Sequence, residues 1–325
     1  KSLPAMLPFC AAMAGAGFAF VGWVPAYVLL MCTVVIIGMA SATYHPQASK
    51  TVNFLSSDNN KAANMGIFSL GGNAGMAVGS ILMAFLLTLP GGLHNTMYFV
   101  LPGLLVFGLM MKYMPEYKRV NLEHNLKVQA AKKSGAVQKI PYGGLALVLF
   151  FIFMRSTIHT GLSTYLPLFF INFRNAEPAF ASMLVSFFLL GGVAGTYVGA
   201  VLSDRLGARR IILGSVLCSI PAIWLIANVT HPAAVLAAVV LAGFSIIGSF
   251  ATTTILAQTM LPNNVGMAAG LTIGFSVGMG GFGVTILGFL ADNYGLPFVM
   301  NLMTVLPVIA TLTAFKIPVP PQMQK

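Results

Sequence analysis

An all-α integral membrane fold is the class this sequence predicts, and three observations carry it. Of 325 residues, 58% are hydrophobic and only 7% are charged, against roughly 25% charged in a soluble domain. Apolar runs of about 20 residues recur along the whole length, the span a bilayer core demands of a helix. Within those runs polar and apolar residues do not alternate, which excludes the ten-residue strands of a membrane barrel. A mean hydropathy of +0.89 leaves too few polar groups to cover a water-facing surface. In lipid every backbone amide must then be bonded within the chain, and helices achieve this segment by segment.

Ten runs read as spans. The first extends from Leu3 to Gly22 and stops at the turn Trp23–Pro25. The second, Ala26 to Tyr44, is expected to end at His45-Pro46, because proline disfavours helical backbone in the residue before it; His45 would then cap the last carbonyls or act in gating. The third is Ala62 to Thr88, rich in glycine, and the fourth Thr96 to Met114. A polar stretch, the longest loop expected, separates these from the fifth, Tyr142 to Ile171. Then follow Pro178 to Leu202, Arg209 to Val229, Ala233 to Gln258, Asn264 to Ala291 and Leu296 to Lys316. The organisation expected is a four-helix part over residues 1–114, a linker over 115–140 and a six-helix part over 141–325.

The charges fall on one side of these spans. Lys1, Lys50, Asp58 and Lys61 flank the first three. The linker carries Lys118, Arg119, Lys127, Lys132, Lys133 and Lys139 against Glu116 and Glu123, and Asp204, Arg205, Arg209 and Arg210 lie after the sixth span. Strict alternation puts all of them, with Lys316 and Lys325, on one face, which the positive-inside rule makes cytoplasmic, the C-terminus included. The opposite face has Arg174, Glu177 and Asp292. The net charge of +11 is thereby explained without nucleic acid. Cys10, Cys32 and Cys218 all lie in apolar runs without a CxxC or a histidine at ligand spacing, so neither a disulfide framework nor a metal site is expected. No cofactor is implied.

An internal repeat accounts for the imbalance of four and six. Pro25-Ala26-Tyr27-Val28-Leu29 resembles Pro232-Ala233-Ala234-Val235-Leu236, and Gly66, Gly79 and Phe85-Leu86 match Gly270, Gly283 and Phe289-Leu290. The offset is about 204 to 207 residues, a long internal period. Lys1 and Cys10 match Arg209 and Cys218 at a nearby offset. Helices one to four thus pair with seven to ten, and five and six have no partners. Two further helices before Lys1 would complete two equal six-helix halves, a plan used by transporters.

The sharpest motif is Gly199-Ala200-Val201-Leu202-Ser203-Asp204-Arg205-Leu206-Gly207-Ala208-Arg209-Arg210. Gly199 lets two helices approach closely. Asp204 can accept hydrogen bonds from a helix N-terminus or an arginine. Gly207 permits a tight turn, and Arg209 and Arg210 anchor the next helix at the headgroups. The stretch resembles the GxLaDrxGrRr signature of the major facilitator superfamily, in which this loop is a cytoplasmic latch between conformations. The resemblance covers the chain from the third family helix onward. Tyr44-His45-Pro46-Gln47-Ala48-Ser49-Lys50, with Gly71-Gly72-Asn73-Ala74-Gly75 and Gly79, is similar to the fosmidomycin-resistance branch. That branch carries an aromatic-His-Pro stretch after its fourth helix and GGNxG in its fifth. The resemblance implies a multi-pass exporter of the bacterial inner membrane, driven by protons and acting on a small molecule; a monomer is the default expectation. The glycines read first as helix packing in lipid, and Asn73 as a hydrogen-bonding or cavity residue. A dinucleotide-binding reading of the same glycines fails because no strand precedes them.

Arg155 is the leading candidate for substrate contact. It lies 13 residues into the fifth span, roughly 20 Å along the helix axis. A charge at that depth costs about 2.5 to 3.5 kcal/mol on insertion scales, so it needs a cavity or a partner, and no local carboxylate is in sequence range. His159 is one turn on, and Thr160 and Ser163, with Thr164 nearby, extend a polar stripe. No Asp or Glu lies inside any of the ten expected spans, so a proton-coupling group is either His159 or a carboxylate on helices preceding Lys1. The second option is favoured because exporters similar to this one often carry acidic and histidine residues in their first helix. Uptake of an organic anion bound by Arg155 is the alternative to export. An intramembrane enzyme lacks its acid, base or metal ligands at depth, and a channel would call for a ring of equivalent polar groups.

Overall fold

The computed structural model describes residues 5–133 and 141–324. Lys1, Leu3, Lys139, Ile140 and Lys325, which enter the expected boundaries and charge pattern, lie outside the described residues. Helix takes up every one of the ten expected runs, and no strand occurs among the described residues. The helices are α1 (Met6–Val21), α2 (Tyr27–Leu55), α3 (Lys61–Thr88), α4 (Val100–Lys112), α5 (Met114–Lys133), α6 (Tyr142–Asn172) and α7 (Pro178–Leu206). After them come α8 (Ala208–Asn228), α9 (Pro232–Gly248), α10 (Phe250–Met260), α11 (Val265–Ala269), α12 (Phe275–Tyr294) and α13 (Leu296–Lys316). Eight helical stretches among the described residues are long and apolar enough to cross a membrane, and Met6–Val21 is a shorter apolar one.

Three departures from the expected elements have local causes. The second helix does not end at His45-Pro46 but continues to Leu55. The proline removes one donor and crowds one turn, whereas the turns after it are buried at Ala48, Ser49 and Thr51. The Thr51 hydroxyl also donates to the Gln47 carbonyl at 2.9 Å. The polar stretch expected as a loop is helical from Met114 to Lys133. Glu116 and Glu123 reach Arg119 at 2.5 and 3.8 Å with helical i,i+3 and i,i+4 spacing, each pair worth about 0.2–0.5 kcal/mol. His124 stacks on Phe54 of α2 with ring centroids 3.9 Å apart, holding α5 in place. Finally, the eighth and ninth expected spans are interrupted. The eighth breaks at Ser249 between α9 and α10, and the ninth carries a π-helical turn over Gly270–Gly274.

The chain divides into two compact units, Lys1–Leu55 with Gly71–Lys139, and Ser56–Leu70 with Ile140–Lys325. In the first, α1 packs on α2 and α4. The α1–α4 crossing is made at glycine, since a Cβ on Gly15 would stand 2.7 Å from the Gly103 Cα. Trp23 Nε1 donates to the His94 carbonyl (3.0 Å) and the Gly22 amide to Thr96 Oγ1 (3.1 Å), tying the end of α1 to the turn before α4.

In the second unit α8 packs on α9 and α13, the same neighbours by repeat position that α1 has in α2 and α4. The internal repeat is thus present in the packing as well as the residues. Helix α6 lies against α12 and α13, and α7 against α9 along a glycine seam. A Cβ on Gly195 would sit 2.0 Å from the Phe244 carbonyl oxygen, and one on Gly199 2.2 Å from that of Gly248. Backbone contact of this kind is how helices associate where lipid removes the hydrophobic drive. Gly195→Val is therefore expected to abolish stable accumulation in the membrane, measured by immunoblot of membrane fractions. A normal level of folded protein would show that the seam can open at little cost.

Candidate functional site

Arg155 sits near the middle of α6 and is 4% exposed. Its Nη1 donates to Thr253 Oγ1 of α10 at 3.0 Å. The Phe250 ring lies under the guanidinium, 5.1 Å from Cζ to the centroid. Thr253 Oγ1 in turn lies 2.9 Å from the Ser249 carbonyl and 3.0 Å from that of Phe250, to which its single proton is donated. The acceptors are the residues where α9 gives way to α10, so the break in that span and the buried cation are directly connected. The ion pairs recorded among the described residues join Lys61 to Asp58 and Arg119 to Glu116 and Glu123. None of them neutralises Arg155.

The residues of the polar stripe expected along α6 make these contacts. Ser163 Oγ donates to the His159 carbonyl of its own helix at 2.9 Å. The half-buried His159 ring lies 5.6 Å from that of Phe188 on α7. Ser156, which the stripe did not include, shares a 2.6 Å hydrogen bond with Ser276 of α12. Thr157 Oγ1 is buried without a partner, facing Gly283. Asn73 is half-buried on α3 in the first unit. His45 and Pro46 lie inside α2, the His45 ring edge-on to Tyr44 at 5.8 Å. Thr253 and Phe250 were missed from sequence. The signal that marks them is Thr252-Thr253-Thr254, a polar run inside an otherwise apolar span.

The second constellation surrounds Asp204, in the last turn of α7. Its Oδ1 accepts from the Ala62 amide at 3.2 Å and its Oδ2 from the Ala63 amide at 2.8 Å. These belong to the first turn of α3, whose N–H groups have no partner within the helix. A carboxylate bridging two of them is charge-assisted and complements the helix dipole. The same helix approaches α7 closely one turn later, where a Cβ on Gly66 would lie 2.7 Å from that of Ala200. Gly207, the single residue between α7 and α8, has φ +91, a conformation other residues adopt only with strain. Arg209 Nη2 donates to the Ile317 carbonyl at 3.0 Å, holding the start of α8 to the segment after α13. Arg205 and Arg210 are exposed.

The family model described as Major Facilitator Superfamily matches residues 3–272 and, in a second placement, 145–325. The chain belongs to the Major Facilitator Superfamily. It is 28% identical over 319 residues to an uncharacterised superfamily transporter of Bacillus subtilis, YfnC, covering 97% of this chain and 77% of that protein. It is 26% identical over 318 residues to the fosmidomycin resistance protein of Escherichia coli, covering 96% and 76%. The likeness read from the His-Pro and Gly-Gly-Asn stretches therefore extends along the chain. Among superfamily structures, the E. coli fucose:proton symporter FucP aligns with a TM-score of 0.74 at 12% identity, covering 98% of this chain and 83% of that one. The proton:xylose symporter XylE aligns at 0.76 and 11% over 99% and 81%, and the human organic anion transporter MFSD10 at 0.70 and 13% over 96% and 81%. At these identities the likeness is one of fold. The superfamily chain is a multi-pass membrane transporter.

Proposed function

We propose that this transporter carries out proton-coupled export of a small anionic compound by alternating access, in a bacterial inner membrane with its C-terminus cytoplasmic. The observation that carries the anionic class is Arg155, a buried guanidinium inside a span with a hydroxyl and an aromatic face for company and, among the described residues, no carboxylate paired with it. A charge so placed is costly to insert, and such residues mark substrate or ion pathways. An arginine fork matches a carboxylate, phosphonate or phosphate. Export rather than uptake is favoured by the 26% identical relative, which is named for fosmidomycin resistance. The Asp204 contact is read as the latch. It closes one conformation by capping α3, and it must release and reform in each cycle.

The test uses inverted membrane vesicles carrying the full-length protein, with an acid interior and labelled fosmidomycin outside. Saturable accumulation that collapses with a protonophore is expected. Saturable flux indifferent to the proton gradient would overturn the coupling. Flux that never saturates would point to a channel instead.

A further inference from the structure

The charge of Arg155 accounts for anion recognition, but not for how a long, flexible side chain is aimed. Arginine offers five N–H donors in one rigid plane on a stem carrying about 2 kcal/mol of rotamer entropy. Two groups of the broken span limit that freedom. Thr253 Oγ1 lies 3.0 Å from Nη1, fixing one edge of the fork. The Phe250 ring, 5.1 Å from Cζ, covers one face. The hydroxyl is itself oriented. Its one proton is committed to the carbonyls of Ser249 and Phe250 at 2.9 and 3.0 Å, which leaves oxygen lone pairs, and not a proton, directed at the guanidinium. Those carbonyls stand where α9 ends and α10 begins, and Thr253 and Ser249 are both fully buried.

We infer that Thr253 and Phe250 are positioning residues for Arg155. They hold the guanidinium plane so that its remaining N–H edge meets the two coplanar oxygens of a carboxylate, or two oxygens of a phosphonate or phosphate, as a fork. This rests on Arg155 being the anion-binding group. Preorganisation of this kind lowers the cost of binding rather than adding a contact. Because the oxygen that aims the fork is anchored at the junction of α9 and α10, a rearrangement of that junction re-aims Arg155. Affinity for the anion is thereby tied to the shape of that span.

The experiment measures concentration-dependent uptake of labelled fosmidomycin in inverted vesicles of the full-length protein. Thr253→Val keeps the side-chain shape and removes the oxygen. It is expected to raise KM about tenfold while changing the maximal rate less than twofold, the pattern of lost uniform binding. Thr253→Ser, which keeps the oxygen, restores most of the affinity. In an Arg155→Lys background, which has no planar fork to aim, Thr253→Val adds nothing further, a coupling that a merely structural threonine would not show. An unchanged KM in Thr253→Val, with Arg155→Ala inactive, overturns the positioning role and leaves the anion reading standing. Wild-type transport by Arg155→Ala overturns the anion reading itself. Should Thr253→Val fail to accumulate, Phe250→Leu decides the matter. It leaves the hydroxyl bonds in place, so a raised KM supports the inference and an unchanged one overturns it.

Discussion

Arg155→Ala is expected to abolish proton-driven transport, by about 100-fold or more, in protein that reaches the membrane at its usual level. Two charge-assisted hydrogen bonds to an anion at about 1.5–3 kcal/mol each supply that factor. The unchanged membrane level follows from the same geometry. Among the described residues no carboxylate pairs with Arg155, so none is left unpaired when the cation is removed, and deleting a charge from mid-span lowers the insertion cost by about 2.5–3.5 kcal/mol. Loss of the Thr253 contact acts the other way but leaves a neutral hydroxyl still bonded to backbone carbonyls. Arg155→Lys keeps the charge and loses the fork, so transport is expected to fall about tenfold. The measurement is fosmidomycin uptake in inverted vesicles normalised to membrane protein. Wild-type transport by the alanine variant would make Arg155 structural and remove the centre of the site.

Asp204→Asn is the second change with a large expected effect. It keeps the size of the side chain and one acceptor oxygen but removes the charge that bridges the Ala62 and Ala63 amides at 3.2 and 2.8 Å. An interaction of about 1–2 kcal/mol at a helix N-terminus shifts a two-state balance by about 5- to 30-fold. Turnover is expected to drop several-fold with substrate KM and membrane level nearly unchanged, because the contact lies at the end of α7 and not at Arg155. Accessibility of a cysteine introduced beside Ala62 to a soluble maleimide should rise. Undiminished transport with unchanged labelling would show that the cap is dispensable to the cycle.

The signature around Asp204 was legible in the sequence as a motif, and its partner was not. Asp204 and the amides it binds are 141 and 142 positions apart. The donors are backbone N–H groups of Ala62 and Ala63, which no side-chain pattern marks. Arg155 stood out as a lone charge in an apolar run, but the oxygen that holds it is 98 positions away. Thr253 is one of three consecutive threonines in an apolar run, and helical spacing does not link it to Arg155. The expected stripe of Arg155, His159 and Ser163 followed from helical spacing alone. In the structure Ser163 bonds the His159 carbonyl of its own helix and the His159 ring lies by Phe188.

What the sequence determined by itself is the solvent, the number and order of the apolar helices, the repeat and the residues whose charge or glycine is out of place. These are properties of short stretches, and a bilayer makes them decisive, since an apolar run of that length must satisfy its own backbone as helix. The tertiary structure alone decided where α2 stops, that α5 is a helix, that the eighth span breaks at Ser249, and which group faces Asp204 and Arg155. Each of those outcomes turns on about one hydrogen bond or one turn of helix, worth roughly a kcal/mol. At that size, contacts arriving from distant parts of the chain outweigh what neighbouring residues prefer.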